Sequence, residues 1–308
     1  MMSNPLVSVI IPCYNQAHYL TDSIQSVLFQ TYSNYEIVVV DDGSLDHPEL
    51  VAARYPQVSF MRQENQGVAN ARNNGWRKTS GSFLVFLDAD DRLLPHALEA
   101  GLRCFAEYPE CAFVFGNGRV IDAAGNPSEL LVPALRGRNY EELLEGNSIR
   151  CPAQVMYRRA ALESVGGFAS FLNNRFIGNT GEDYDLTLRL SKLYPIRPYD
   201  ELIAEWRQHT TNISNKSLNM LQSCVMILNA QRPALQGKPE QEEALRRGLE
   251  RIRTHYGERL IEELRLQART GNINWRTFAA SILVLGKYYP RGLVHNVLRK
   301  TKSVVFPT

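Results

Sequence analysis

The chain has 308 residues, and 44% of them are hydrophobic, which is enough for one large α/β domain with an appendage. Its formal net charge of +2 is unevenly distributed: residues from 216 onward carry 16 Lys and Arg against 7 Glu, a balance of +9, and the first 215 residues carry −7. An acidic first part without a basic patch excludes general nucleic-acid binding. Five cysteines without metal-type spacing predict a reduced, cytoplasmic setting. No stretch reaches the roughly 18 apolar residues of a spanning helix, and we expect no signal peptide.

The first half of the chain alternates short apolar runs with helical patterns. We predict strands over 7–11, 35–40, 58–62 and 83–87, separated by helices over 17–30, 49–55 and 67–79. Strands that alternate with helices in this way predict an α/β fold with a parallel sheet and right-handed crossovers. A further helix is predicted over 93–105.

After an apolar run at 113–115 the pattern becomes irregular and rich in Gly and Pro, which is typical of loops and antiparallel strands that carry a second substrate. Helices are then predicted over 184–193, 218–230 and 240–270. We predict two domains, a catalytic domain over 1–215 and a helical, basic C-terminal region over 216–308.

Polar clusters follow three of the predicted strands, at 12–15, 41–44 and 88–91. Because the carboxyl ends of parallel strands meet at one sheet edge, we expect these clusters to converge on one ligand site. Asp88 and Asp90, spaced i and i+2, can hold one hard divalent cation, which takes its other ligands from water and substrate phosphates. The alternative is a solvated acidic turn that caps the following helix.

Six motifs in chain order resemble those of family 2 glycosyltransferases. They read VSVIIPCYN (7–15), VVDDGS (39–44), NQGVANARN (65–73), LDADD (87–91), GED (181–183) and WRQH (206–209). The resemblance covers residues 7–215. It implies the GT-A fold, a Rossmann-like and mostly parallel sheet flanked by helices, and an inverting enzyme that uses nucleotide-diphosphate sugars.

By this resemblance the loop from Pro12 to Asn15 lines the base pocket, where the ring of Tyr14 can stack on a nucleobase. Asp42 is assigned to the base, since a carboxylate at a strand end can accept hydrogen bonds from a base N–H or a ribose hydroxyl. Arg72 follows a predicted helix start that favours anions, and it is assigned to the nucleotide side. The alternatives are a half-buried turn aromatic for Tyr14, a simple Asp-Gly turn for Asp42 and a surface or structural arginine for Arg72.

The same resemblance implies a metal site of the DXD type. Asp90 ligates Mg²⁺ or Mn²⁺ directly, and Asp88 contacts the ribose or the waters of the metal. His209, in the last motif, lies near the metal and the diphosphate, where an imidazole can ligate the cation or donate to leaving-group oxygens. The alternatives are that Asp91 caps the next helix and that His209 is structural.

A base is required because an acceptor hydroxyl is a poor nucleophile until its proton is being removed. The resemblance assigns this role to Asp183, with Glu182 as its neighbour or as an acceptor ligand. The alternative is that these acids only complement the start of a helix. The implied reaction is a single in-line displacement that inverts the anomeric carbon.

The sequence therefore predicts a metal-dependent glycosyltransferase of bacterial polysaccharide or glycolipid assembly, which binds a nucleotide-sugar donor and a glycan or lipid-linked acceptor. One alternative is a non-catalytic nucleotide-sugar-binding or scaffold protein. Another is a sugar nucleotidyltransferase, which should have a Gly-rich, basic loop in place of the segment after the first strand.

The C-terminal region contains a short apolar stretch at 278–285, followed by alternating apolar and cationic residues up to Lys302. Such a pattern can lie on an anionic bilayer, which predicts peripheral association with the inner face of the membrane. The alternative is that the apolar residues pack a helical appendage while the cations face water.

Overall fold

The computed structural model describes residues 4–135, 139–169, 180–210, 212, 215–271 and 273–294. These residues form two compact units. The first contains the described residues within 4–143, 147–169 and 182–210, and the second contains those within 144–146, 180–181 and 212–294. The division into functional domains at residues 215 and 216 stays a prediction.

The strands are β1 (Val7–Cys13), β2 (Tyr35–Asp41), β3 (Val58–Arg62), β4 (Phe83–Phe86), β5 (Arg92–Leu93), β6 (Phe113–Ile121), β7 (Pro127–Leu131), β8 (Val155–Arg158) and β9 (Ile196–Arg207). The helices are α1 (Ala17–Leu28), α2 (Pro48–Ala52), α3 (Val68–Lys78), α4 (Ala97–Glu107), α5 (Asn139–Glu145), α6 (Arg159–Ser164), α7 (Glu182–Ser191), α8 (Ser217–Gln231), α9 (Pro239–Thr270) and α10 (Trp275–Tyr288). Short 3₁₀ turns lie at Pro152–Gln154 and Arg232–Ala234.

β1 lies in the middle of the parallel part of the sheet. Val7 is opposite Tyr35 of β2 on one side and Phe83 of β4 on the other, and β3 continues the parallel pairing beyond β2. The order along the sheet is β3-β2-β1-β4-β8-β6-β9-β5, with β7 paired to β6. The carboxyl ends of β1, β2 and β4 therefore meet at one edge, as the strand–helix alternation predicts.

Helices cover both faces of β1, which explains why its sequence from Val7 to Ile11 is apolar except for Ser8. Val9 and Ile11 share a buried cluster with Leu20 of α1. Ile10 points to the other face, where a Cβ atom on Gly75 of α3 would lie only 2.5 Å from its Cγ2. A glycine is therefore needed for the close approach of α3 to the sheet.

Two predictions about the elements need correction. The helix predicted over 93–105 is wrong at its start, because Arg92 and Leu93 form β5, paired to β9, and α4 begins at Ala97. The sequence does not predict β9, because polar residues such as Asp200 interrupt its apolar pattern where the strand is exposed.

The second unit is built from α8, α9 and α10. Leu264 of α9 packs against Leu285 of α10 in a buried cluster. α9 is followed by Gly271 in the left-handed conformation, with φ +70°, a common way to end a helix. The helices predicted over 218–230 and 240–270 are confirmed, and α10 is an addition to them.

None of the described helices has both the length and the apolar character needed to cross a membrane. All five cysteines are buried as free thiols. The part of the predicted amphipathic tail that follows residue 294 lies outside the described residues.

Candidate active site

The turn after β4 carries the three carboxylates of segment 88–91. Its backbone closes through the Asp91 N–H, which donates to the Asp88 carbonyl at 3.0 Å. The buried Asp91 carboxylate accepts hydrogen bonds from the Arg207 N–H at 2.9 Å and from the Cys151 thiol at 3.2 Å, and burial raises its pKa well above the usual range. Asp91 therefore anchors the turn, and the alternative in which it caps the next helix is wrong, because α4 begins further along the chain.

Asp90 is buried in the same turn but is held by different partners. Its Oδ2 accepts a hydrogen bond from Gln16 Nε2 at 2.9 Å and lies 2.8 Å from His209 Nε2. The His209 ring stacks on Tyr19 with the ring centroids 5.2 Å apart. Burial and the charge of Asp88 raise the pKa of Asp90, and the contact with His209 opposes them. Two residues separated by more than a hundred positions, both predicted for the metal site, are thus brought together.

Arg207 fixes the acidic turn to the end of β9. Its buried guanidinium donates through Nε to the Asp90 carbonyl at 2.8 Å and through Nη2 to Asp22 Oδ2 at 2.8 Å. It also lies over the Tyr19 ring, 4.8 Å from the centroid. Sequence reasoning placed Arg207 in a motif without giving it a role, and it missed Gln16, for which the sequence offers no signal.

Arg72 bridges two of the predicted site carboxylates. Its Nη2 donates to Asp88 Oδ1 at 2.6 Å, and its Nη1 donates to Glu182 Oε1. The side chain is only 2% exposed and lies over the Phe168 ring. This position matches the structural alternative for Arg72, and it connects the turn after β4 to the start of α7.

Glu182 and Asp183 begin α7. Glu182 is buried, its Oε2 has no hydrogen-bond partner among the described residues, and burial raises its pKa to about 7 against the opposing charge of Arg72. Asp183 is only partly buried, and its Oδ1 accepts a hydrogen bond from the Tyr184 N–H at 2.8 Å. Burial also raises the pKa of Asp183, again opposed by Arg72. Both carboxyl groups are therefore better proton acceptors than an exposed acid.

Replacing Glu182 with Gln is expected to flatten the pH dependence of stability below neutral pH. With a folded-state pKa raised from 4.5 to about 7, Glu182 keeps a proton in the folded chain that the unfolded chain loses, so wild-type stability falls as the pH rises through this window. The variant should lack up to ~1.4 kcal/mol per pH unit of this slope. The free energy of urea unfolding at pH 5 and pH 7 measures it, with the exposed Glu163→Gln as control. Equal slopes in wild type and Glu182→Gln would contradict the assignment.

The loops after β1 and β2 are tied together at the same sheet edge. The Asn15 N–H donates to Ser44 Oγ at 2.9 Å, and Asn15 Oδ1 accepts from the Leu45 N–H at 2.8 Å, with Asn15 at φ +54°. Pro12 is buried at the end of β1, whereas the Tyr14 side chain is 50% exposed. The Tyr14 ring is therefore accessible for stacking.

Asp42 holds the loop that leads into α3. Its Oδ1 accepts from Gln63 Nε2 and from the Gln66 N–H, both at 2.8 Å, and its Oδ2 accepts from the Gly67 N–H at 2.9 Å. These bonds use three of the roughly four acceptor positions of a carboxylate, and Asp42 is only 4% exposed. Gly43 completes this turn at φ +80°, where an added Cβ atom would lie 3.0 Å from the Asn65 nitrogen.

The donor atoms at the acidic turn suit a cation that takes some of its ligands from the protein and the others from water or substrate. Asp90 and His209 offer a carboxylate oxygen and an imidazole nitrogen, and Asp88 lies two residues away with Oδ1 on Arg72. In the parts of the chain that the structure describes, no set of three or more His, Cys, Asp or Glu residues forms a complete ion site. The Asp90 carboxylate suits Mg²⁺ or Mn²⁺, which keep waters and take ligands from substrate phosphates, whereas an imidazole such as that of His209 is more typical of softer transition metals.

Comparison with known proteins identifies the family. A family model described as glycosyl transferase family 2 matches residues 8–166. Chondroitin synthase from Escherichia coli is 30% identical over 220 residues, which are 70% of this chain and 31% of that protein. Across eight such curated relatives, the matched segment covers between 26% and 69% of the relative's own length.

Two solved structures share the fold. Residues 1–349 of TarS from S. aureus, in complex with UDP-GlcNAc, match with a TM-score of 0.62 at 18% identity, over 92% of this chain and 80% of that chain. The mannosyltransferase PcManGT from Pyrobaculum calidifontis, in complex with GDP-Man and Mn²⁺, matches with a TM-score of 0.60 at 20% identity, over 94% and 82%. The fold is GT-A, as predicted. Since the family model covers more than half of its length, the chain belongs to glycosyl transferase family 2.

Proposed function

We propose that the protein is an inverting glycosyltransferase, which moves a sugar from a nucleotide-diphosphate sugar to an acceptor hydroxyl in the assembly of a bacterial polysaccharide or glycolipid. The observation that carries the proposal is the bridge through Arg72, which joins Glu182 to Asp88. The bridge holds the acidic start of α7 beside the turn after β4. Family membership, the likeness to chondroitin synthase and the UDP-GlcNAc complex of TarS support it.

We assign the base to Asp183. It is the less buried member of the acidic pair, so an acceptor can reach it, and burial raises its pKa, which makes it a better proton acceptor than an exposed aspartate. Glu182 accepts a hydrogen bond from Arg72 and is the orienting neighbour. Asp183 takes the acceptor proton as the hydroxyl oxygen bonds to the anomeric carbon. The bond from that carbon to the diphosphate breaks on the opposite face, which inverts the configuration.

We assign Asp90 and His209 to a divalent cation, Mg²⁺ or Mn²⁺, with Asp88 directed to its waters or to the ribose. The Mn²⁺ and GDP-Man bound by PcManGT support a cation in a protein of this fold. Such a cation, when bound, neutralises charge on the departing diphosphate. Gln16 and Arg207 hold the Asp90 side chain and carbonyl, so the carboxylate is oriented in advance.

We assign the nucleotide to the edge between the loops after β1 and β2. Tyr14 supplies an accessible ring for the base, and the backbone of Pro12 and Asn15 shapes the pocket. Asp42 uses its remaining acceptor position for the base. Arg72 contributes to the nucleotide site by orienting Asp88. It is not assigned to bind phosphate directly, because its two Nη atoms already donate to carboxylates.

A glycan or lipid-linked acceptor, a cytoplasmic location and peripheral contact of region 216–308 with the membrane belong to the same proposal. α10 supports the contact: Leu285 is buried in the second unit, while Trp275 and Leu283 are 71% and 76% exposed. A helix with apolar residues on two faces needs a second apolar neighbour. Lys287 on the same helix suits an anionic lipid surface.

The donor is tested by thermal unfolding of the full chain with UDP- and GDP-sugars, with and without Mn²⁺. One donor at a hundred times its Kd should stabilise the fold by about 2.7 kcal/mol in the presence of the cation. Chelation should remove the effect. Equal stabilisation with and without the cation would overturn its role, and no stabilisation by any nucleotide sugar would overturn the donor class.

A further inference from the structure

The second unit contains a groove that the catalytic proposal does not use. It has a volume of about 1040 Å³ and lies among α9, the 3₁₀ turn after α8 and the end of α10. Its lining includes the apolar side chains Leu235, Leu245 and Leu249. Tyr288 and Tyr289 contribute aromatic rings from the end of α10. The leucines are only 1% to 4% exposed, whereas Tyr288 and Tyr289 are half-buried, so the accessible apolar surface of the groove comes mainly from the two tyrosine rings.

Arginines of the groove differ in whether they are already paired. Arg246 bonds to Glu243 at 2.7 Å and lies 3.5 Å from Glu250. Arg253 and Arg291 have no ion pair or side-chain hydrogen bond with any described residue, and Arg253 Nε is buried without an acceptor.

The acids in the lining do not neutralise these two arginines. Glu250 faces Arg246, and Glu242 accepts a hydrogen bond from the Gly237 N–H at 3.1 Å. Among the described residues, Arg253 and Arg291 therefore have no anionic partner, and a third lining arginine, Arg232, donates to the neutral Asn229 amide at 2.8 Å. A guanidinium donates two parallel hydrogen bonds to a phosphate, so the missing partner has the chemistry of a phosphate group attached to an aliphatic body.

We propose that this groove binds the phosphate headgroup of an anionic phospholipid through Arg253 and Arg291, with the start of its aliphatic chains against the rings of Tyr288 and Tyr289. The proposal rests on the proposed membrane contact of the C-terminal region and gives that contact a defined site. The exposed apolar face of α10, with Trp275, Ile282 and Leu283, belongs to the helix that supplies the tyrosines. Tyrosine rings suit the boundary between headgroups and chains.

The test is sedimentation of the full-length protein with phosphatidylcholine vesicles, with and without phosphatidylglycerol. The wild type should bind the anionic vesicles. Arg253→Gln combined with Arg291→Gln should weaken binding by about fivefold for each arginine, the factor for one cation at an anionic surface. The matched control is Arg251→Gln with Arg269→Gln, which removes the same charge from exposed positions outside the groove lining. In the same vesicle assay, Leu283→Asn tests separately whether the exposed apolar face of α10 contributes to binding.

Each outcome separates the groove from the broader proposals. If the groove pair and the control pair lose vesicle binding equally, the effect comes from general charge, and the proposed lipid site in the groove is wrong. Wild-type protein that stays in the supernatant at low salt would overturn membrane contact and leave glycosyl transfer standing. If glycerol phosphate alone stabilises the wild type and vesicles do not bind, the site takes a soluble phosphate and the lipid assignment is wrong. If the pair Arg253→Gln and Arg291→Gln unfolds at a lower temperature than the wild type, Arg253→Lys with Arg291→Lys replaces it. The lysines keep the positive charge but lose the paired donors of the guanidinium, so vesicle binding should fall between that of the wild type and that of the Gln pair.

Discussion

Asp183→Asn is expected to lower kcat by roughly 10²-fold or more, the scale for losing a general base, while donor affinity stays near wild type. The amide has nearly the shape of the carboxylate but does not accept a proton, so chemistry fails and binding does not. The change leaves the bridge from Arg72 to Glu182 and Asp88 in place. Donor affinity is measured by calorimetry, and turnover by nucleoside diphosphate release.

Glu182→Gln is the matched comparison for this variant, because both residues begin α7 and both carboxyl groups have raised pKa values. Near-normal turnover in Asp183→Asn with a large loss in Glu182→Gln would transfer the role of base to Glu182. A loss in Asp183→Asn that comes entirely from weaker donor binding would contradict the assignment as well.

Asp90→Ala is expected to abolish metal-dependent donor binding. The substitution removes the carboxylate that contacts both Gln16 and His209, and with it the ligand proposed to join protein, cation and diphosphate. Loss of outer partners of a metal typically costs about 10- to 100-fold in affinity, so loss of a direct ligand should cost at least this much. Donor titrations with Mn²⁺ and with chelator measure the effect.

Asp200→Ala is the control for Asp90→Ala, because Asp200 is exposed on β9 and accepts a hydrogen bond from Asn117 there, away from Gln16 and His209. It should keep the wild-type response to Mn²⁺. His209→Ala should show a milder loss than Asp90→Ala. Unchanged donor affinity of Asp90→Ala, with and without chelator, would refute the metal assignment.

The sequence predicts the parallel part of the sheet well because β1 and β4 are buried along their whole length. β4 is an unbroken apolar run and β1 is apolar up to Ile11 except for Ser8, and each is followed by a polar signature that the parallel arrangement brings to one edge. Asp88 and Asp90 lie close together in the chain, so their spacing was readable directly. The edge strand β5 and its neighbour β9 lack this signal, because β5 has two residues and β9 is interrupted by exposed polar residues.

Contacts between distant parts of the chain were not readable from the pattern. Arg72 reaches Glu182 across 110 positions, and Gln16 reaches Asp90 across 74. Nothing in the composition around Arg72 distinguishes a guanidinium that binds a nucleotide from one that bridges two carboxylates. The burial of Arg72 distinguishes these two roles, and this burial depends on how α3 and α7 pack in three dimensions.

The central claim is that the carboxylates around Arg72 and the turn after β4 form one glycosyl-transfer site. The most direct measurement is acceptor-dependent release of nucleoside diphosphate by the wild type, Asp183→Asn and Asp90→Ala, with the stabilising donor, Mn²⁺ and a panel of oligosaccharide and lipid-linked acceptors. The account predicts release by the wild type that needs both cation and acceptor, and loss of that release in both variants. Equal release by all three proteins, or donor binding by the wild type without release in any combination, would contradict it.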